Sequence, residues 1–321
     1  MSTINIVLGI DIGGTKTSFG FVDREGNIIG ATSIETNSNE SAERFVSRLH
    51  RKIEEIRTVL PSPYNLCGIG IGAPNANYYR GTIEKPVNLN WGDTVDFIEL
   101  MRKIYDIPTV ITNDANAAAI GELLFGNARG MKHFIIITLG TGLGSGIVVD
   151  GRLLYGASGF AGELGHTVVD PKGRQCRCGK QGCLEAYVSA TGLVRTTSIL
   201  LAERYEPSPL RAMSYSEMTS KIIFDLAQKG DKIALEAFDQ TARILGMKLA
   251  DAVAHTSPEA IFLTGGLAMA GDILLEPANQ YMEDFLFGAY KGTVKLFPSG
   301  MIAGKSAILG AAALIWNELA P

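Results

Sequence analysis

Leu8-Gly-Ile-Asp-Ile-Gly-Gly-Thr15 and Ile135-Ile-Ile-Thr-Leu-Gly-Thr141 decide the fold. Each is an apolar, branched run that stops on glycine, as a buried strand does when it enters a tight turn. Around the first, residues 4–11, 18–23 and 27–35 read as an antiparallel meander, with Glu25-Gly26-Asn27 turning the chain between the last two strands. Around the second, residues 133–139, 145–149 and 152–154 repeat the same order, with Asp150-Gly151 as the later turn. Strand, glycine turn, strand, turn, strand, occurring twice, predicts an internal duplication of one α/β unit and therefore two lobes.

Working outward, residues 41–60 carry Ala42, Phe45, Val46, Leu49, Ile53, Ile56 and Leu60 at helical spacing behind Ser41, a suitable N-cap. A strand at 66–71, a helix at 94–105, a strand at 108–112 and an alanine-rich helix at 114–125 complete the first half. After the second meander come helices at 193–201, 216–228 and 231–254, a strand at 260–263, a helix at 271–287, a strand at 293–297 and an apolar helix at 307–319. The expected small lobe is residues 1–113 plus 306–321, and the expected large lobe is 114–305.

Composition narrows the function. A chain of 321 residues suggests roughly two domains. With 46% apolar residues, 19% charged residues and a net charge of −4, it lacks the basic surface that nucleic acid would require. No apolar run approaches the ~20 residues of a membrane span. No leader is evident, so a cytoplasmic protein is expected.

Four stretches carry chemistry. In Asp11-Ile-Gly-Gly-Thr-Lys16, Gly13 and Gly14 free backbone N–H groups to face an anion, Thr15 adds a hydroxyl, Lys16 adds a charge, and Asp11 is poised to hold Mg²⁺ through water. The same residues also suit a plain hairpin turn. Thr138-Leu-Gly140-Thr141 repeats that chemistry, and Gly265-Gly266, between a strand and a helix, allows backbone to approach a base or ribose. Asn113-Asp114 follows a strand and opens a helix. Asp114 suits a helix cap, and a carboxylate at a strand end also suits a base for a hydroxyl; the pattern leaves both open. Finally, His166 precedes Cys176-Arg-Cys178-Gly-Lys-Gln-Gly-Cys183. One His and three Cys complete a tetrahedral zinc set with no open position, which marks a structural site. The Cys-x-x-Cys spacing of a redox pair is absent. Asn88, Glu163 and Glu185 lie near these motifs and could bond sugar hydroxyls or simply face solvent.

Together these residues resemble ROK-type sugar kinases of the actin-like ATPase superfamily, most of all the bacterial ATP-dependent glucokinases. The resemblance runs from Leu8 to the last helix. Its most specific piece is Gly162-Glu-Leu-Gly-His166 with Cys176-x-Cys-Gly-x-x-Gly-Cys183-Leu-Glu185. It implies a duplicated, ribonuclease H-like fold of two lobes with the active site in the cleft between them. It also implies that Asp114 deprotonates the sugar 6-hydroxyl for attack on the γ-phosphate of ATP. Asn88, Asn113, Asp114, Glu163, His166 and Glu185 would hold the sugar. Asp11, Gly13, Gly14, Thr15, Lys16, Thr138, Gly140 and Thr141 would surround Mg²⁺ and the phosphates, with Gly265 and Gly266 near the adenosine. Glucose leads the hexoses, ahead of N-acetylmannosamine, N-acetylglucosamine, mannose and fructose, and the donor could be ATP or polyphosphate. Family members are commonly dimers or tetramers. Sugar-responsive repressors of the same family carry an additional helix-turn-helix, which is not expected here because the first strand begins near Ile6. A non-catalytic sugar-binding protein is the remaining rival.

Overall fold

Strand β1 (Ile4–Ile12) is buried at nearly every position from Ile6 onward. It is the central strand of its sheet, and a strand covered on both faces needs apolar residues on both. β2 (Lys16–Asp23) and β3 (Ile28–Glu35) return antiparallel beside it, and helix α1 (Ala42–Arg57) follows, capped by Ser41 as its sequence suggests. Then come β4 (Tyr64–Gly72), β5 (Ala76–Asn77), β6 (Thr82–Glu84), β7 (Thr94–Asp96), α2 (Phe97–Arg102), β8 (Thr109–Thr112) and α3 (Asp114–Phe125). The sheet order is β3-β2-β1-β4-β8, with β1, β4 and β8 parallel. The computed structural model describes residues 3–37, 39–60, 63–85, 89–301 and 304–320.

The second half repeats the plan. β9 (Phe134–Leu139), β10 (Leu143–Val149) and β11 (Arg152–Leu153) form the meander, followed by α4 (Ala190–Glu203), α5 (Ser220–Ala227), α6 (Lys232–Thr256), β12 (Ala260–Thr264), α7 (Asp272–Phe285), β13 (Lys295–Pro298) and α8 (Ser306–Glu318). The order β11-β10-β9-β12-β13 matches the first sheet strand for strand. The duplication expected from the two glycine-ended runs is therefore present, within the actin-like ATPase fold.

The chain divides into two units. The first is Met1–Met131, Leu153–Ala161 and Gly300–Pro321; the second is Lys132–Arg152 and Gly162–Ser299. The boundary expected at residue 114 lies instead after α3. Ala117 and Ile120 of α3 are buried with Ala313 and Leu314 of α8, and a side chain on Gly310 would strike the Ala117 carbonyl oxygen, 2.8 Å from an added Cβ. Small residues on both helices thus bind α3 to the first unit. α8 also lies close on β1 and β4, because Gly9 and Gly70 leave its backbone room that any Cβ would fill.

Two other expectations are corrected. Residues 94–105 are not one helix: Val95 pairs with Ile83 in a small sheet β5-β6-β7, and Asp96 caps α2 by accepting the Glu99 N–H. Strands of two or three residues carry too little periodicity to be read. The helix expected at 216–228 starts at Ser220, capped by Thr219. No helix among the described residues is long and apolar enough to cross a membrane.

Candidate active site and metal cluster

In the first unit, parallel register aligns Asp11 with Gly72 and Gly72 with Thr112, so three strand ends meet at one edge. That edge is where open α/β sheets bind ligands. The next residue, Asn113, caps α3 by accepting the Asn116 N–H at 2.7 Å. The capping role left open for Asp114 therefore belongs to its neighbour. One Asp114 oxygen accepts the Ala115 N–H at 2.8 Å. Asp114 is exposed at its surface, yet enough protein surrounds it for burial to raise its carboxyl pKa. A group in a recess is both reachable and poorly solvated. Asp11 stands close by: a Cβ on Gly72 would touch both Asp11 Oδ1 and the Asp114 Cα at 3.7 Å. Burial first, and the Asp114 charge second, raise the Asp11 pKa to about 7.

The turn after Asp11 is a hairpin closed by Gly13 N–H to Lys16 O at 3.0 Å. Gly13 has no room for a side chain, since a Cβ would lie 2.8 Å from the Lys16 oxygen. Thr15 and Lys16 are exposed. Thr36, unnoticed in the sequence, holds this turn: its hydroxyl donates to Gly13 O at 2.6 Å and its N–H to Thr15 O at 2.9 Å. Having used its one proton there, Thr36 accepts from the buried Thr17 hydroxyl 3.0 Å away. The signal available was a threonine one residue beyond β3, whose partner strand begins at Lys16.

In the second unit, Gly140 N–H closes the corresponding turn onto Gly142 O at 3.0 Å. The Thr138 hydroxyl accepts the Gly144 N–H at 3.1 Å. A side chain on Gly140 would meet nothing within 4 Å, so this backbone is open to an approaching group. Strand pairing of Thr264 with Thr138 brings Gly265 beside the turn, where its φ of +95° and the Leu139 carbonyl 2.6 Å from any added Cβ require glycine. Gly266 is exposed with open space around it.

The second unit also brings together the four candidate metal ligands. One ligand atom from each of His166, Cys176, Cys178 and Cys183 lies within 4.8 Å of all the others. Cys178 Sγ and Cys183 Sγ are 3.7 Å apart, and His166 Nδ1 is 3.9 Å from Cys176 Sγ. A tetrahedral ion with bonds of about 2.3 Å to sulfur separates its ligands by about 3.6–3.8 Å, so the residues fit zinc. Burial pushes the Cys176 thiol up to about 12, an environment that disfavours a bare thiolate and that a bound cation would offset. Gly179 and Gly182, with φ of +91° and +75°, let the loop wrap. With Nδ1 toward the sulfurs, His166 Nε2 points away and lies 4.0 Å from Glu163 Oε2. Glu185 Oε2 accepts the Leu143 N–H at 3.0 Å, while Oε1 is 3.6 Å from Cys176 Sγ.

The expected residues thus gather in two groups: Asp11, the Gly13–Lys16 turn, Asn113 and Asp114 in one unit, and Thr138–Thr141, Gly265, Glu163, His166, Glu185 and the cysteines in the other. Asn88 lies outside the described residues.

Comparison with known proteins identifies relatives along nearly the whole chain. The family model described as ROK family matches residues 7–318. A glucokinase of Halalkalibacterium halodurans is 36% identical over 284 residues, 87% of this chain and 85% of that protein. A crystal structure of a ROK family glucokinase from Streptomyces griseus, in complex with glucose and AMPPNP, superposes with a TM-score of 0.81 at 32% identity, covering 96% of this chain and 98% of that one. A xylose repressor of Bacillus spizizenii is 31% identical over 304 residues, 94% of this chain but 74% of its own length. A family model that spans residues 7–318, and relatives more than 30% identical over most of their length, show that the chain belongs to the ROK family.

Proposed function

We propose that this chain is an ATP-dependent hexose kinase, and within that class a glucokinase that moves the γ-phosphate of ATP to the 6-hydroxyl of glucose. The observation that carries the reading is Asp114: its neighbour Asn113 caps the helix, so the Asp114 carboxylate is left reachable at the strand ends beside Asp11. The similarity to glucokinases over almost the full chain supports the same reading.

Phosphoryl transfer asks a protein mainly for positioning and charge neutralisation. Asp114 would accept the hydroxyl proton as the oxygen attacks, and a carboxyl pKa raised by burial brings it nearer to the pH at which it must work. Glu163, His166 through Nε2, Glu185 and Asn113 would orient the sugar hydroxyls. The Gly13–Lys16 and Thr138–Thr141 turns would offer N–H groups, hydroxyls and the Lys16 ammonium to the phosphates, with Gly265 and Gly266 near the adenosine. Asp11 would hold Mg²⁺, which when bound neutralises phosphate charge. Zinc on His166 and the three cysteines would fix the loop that presents Glu163 and Glu185. Such thiol ligation suits a reducing, cytoplasmic setting, and a homodimer or homotetramer follows from the family resemblance.

The test is ADP release with Mg-ATP across a panel of hexoses, alongside Asp114→Asn. Glucose should give the highest kcat/KM, and the variant should lose on the order of 10³-fold in kcat with its fold intact. A preference for an N-acetylhexosamine, mannose or fructose changes the substrate alone. Absence of phosphorylation by folded, zinc-loaded protein sinks the kinase reading and leaves a sugar-binding protein.

A further inference from the structure

A short stretch of chain ties the metal cluster to the second glycine turn. Cys183, a cluster residue, opens the turn Leu184–Ala186, closed by Ala186 N–H to Cys183 O at 3.0 Å. That turn aims Glu185, whose Oε2 accepts the Leu143 N–H at the start of β10. The Ser189 hydroxyl donates back to Glu185 O at 2.8 Å and, as the α4 cap, accepts the Gly192 N–H at 3.0 Å. The first residues of α4 then grip the turn itself: Ala190 N–H donates to Gly140 O at 2.9 Å, and the Thr191 hydroxyl donates to Thr141 O at 2.9 Å. Ser189 is fully buried. From a cluster residue to two carbonyls of the glycine turn, every step is a hydrogen bond or one short backbone turn.

We propose that metal occupancy and nucleotide binding are thermodynamically linked through this bridge, with Thr191 as a positioning residue that carries the link to the glycine turn. The inference rests on the proposed kinase reading, which assigns zinc to the cluster and phosphate to the turn. The carbonyls of Gly140 and Thr141 are turned toward α4, which fixes the opposite face of the same peptides, their N–H groups, for an anion. A cluster without its ion frees Cys183 and the turn that aims Glu185, so the grip on the glycine turn slackens. Linkage is reciprocal: if zinc improves nucleotide binding, nucleotide must hold zinc more tightly by the same factor.

The measurement uses the full-length protein without sugar, and follows the equilibrium partition of zinc between the protein and a colorimetric chelator with and without saturating Mg-ADP. Mg-ADP is expected to tighten zinc binding by about five-fold or more, in the range typical of coupled sites. Thr191→Val, which leaves only the Ala190 N–H bond on the turn, should clearly shrink that factor, and Thr191→Ser, which keeps the hydroxyl, should restore it. A purely structural role for Thr191 would change zinc affinity or stability in both conditions alike. Equal zinc affinities in the unaltered protein, with calorimetry confirming that both ligands bind, overturn the inference while leaving the kinase reading intact. A factor undiminished in Thr191→Val overturns the bridge. Failure of the protein to hold zinc or ADP at all overturns the underlying reading, and the linkage with it.

Discussion

The two glycine turns occupy the same place on the two matching sheets, and each is closed by a backbone bond of 3.0 Å, yet they are held and equipped differently. The first is pinned from its own sheet by the Thr17–Thr36 hydroxyl pair. The second is pinned from outside its sheet, by the start of α4 and by Glu185. Where the first run has Asp11, the second has Thr138, so the acidic position became a neutral hydroxyl that braces Gly144. Duplication fixed where the turns lie. What surrounds each copy differs: one turn lies beside two carboxylates, the other beside the His-Cys₃ cluster.

The comparison can be broken most directly by kinetics. Asp11→Asn should lower kcat on the order of 100-fold or more, because it removes the charge that would hold Mg²⁺. Thr138→Val should cost roughly ten-fold, mainly in KM for ATP, the loss of one hydroxyl contact. Equal losses in steady-state assays would mean that the two positions never diverged in role.

Metal removal tests the second turn's external support. Cys178→Ser, or chelation, should lower the melting temperature and weaken sugar binding together, as expected when a structural ion is lost. Calorimetry showing unchanged glucose affinity in metal-free protein would detach the cluster from the sugar.

A pH series sharpens the contrast at the first turn. Asp11 has a folded pKa of about 7, above its ordinary value, so between pH 4 and 7 the folded state binds more protons than the unfolded one. Stability from this group is therefore highest near pH 4, declines as pH rises through 7, and stays lower above. In Mg²⁺-free buffer, Asp11→Asn should match the parent's melting temperature near pH 4 and exceed it at pH 8. The same gain at both pH values would contradict the burial argument.

The smallest effect concerns Thr36. Thr36→Val leaves the Gly13 carbonyl and the Thr17 hydroxyl without their partner, at a cost of about 1–3 kcal/mol, while Thr36→Ser should recover most of it. Urea melts of the two variants decide this; a serine as damaging as valine points to packing of the methyl group instead.

These contrasts also mark what sequence could reveal. The duplication was legible because buried strands need unbroken apolar runs and both runs end on glycine. The cluster was legible because four ligands fall within a short stretch whose chemistry admits few uses. The boundary after α3 was not, because membership is decided by small-residue contact between α3 and α8, nearly 200 positions apart along the chain as for Ala117 and Leu314. The Thr36 clamp was hidden for a similar reason: a lone threonine carries no pattern until strand pairing sets it against Gly13. Asn113 shows the converse case: the sequence pointed to Asp114 as a cap, and geometry gave that role to the residue before it.

The fit of α8 against Gly9 and Gly70 has a consequence for biosynthesis. α8 is made after every other element described, yet it covers β1, the earliest of them. Until it arrives, the nascent chain carries a bare apolar sheet face with glycine gaps that no earlier helix fills. The second unit, whose segments lie wholly between residues 132 and 299, can finish folding while the first is still waiting for its lid. Chaperone demand during synthesis should therefore track the interval between β1 and α8, and mistakes in assembly should begin on that uncovered face.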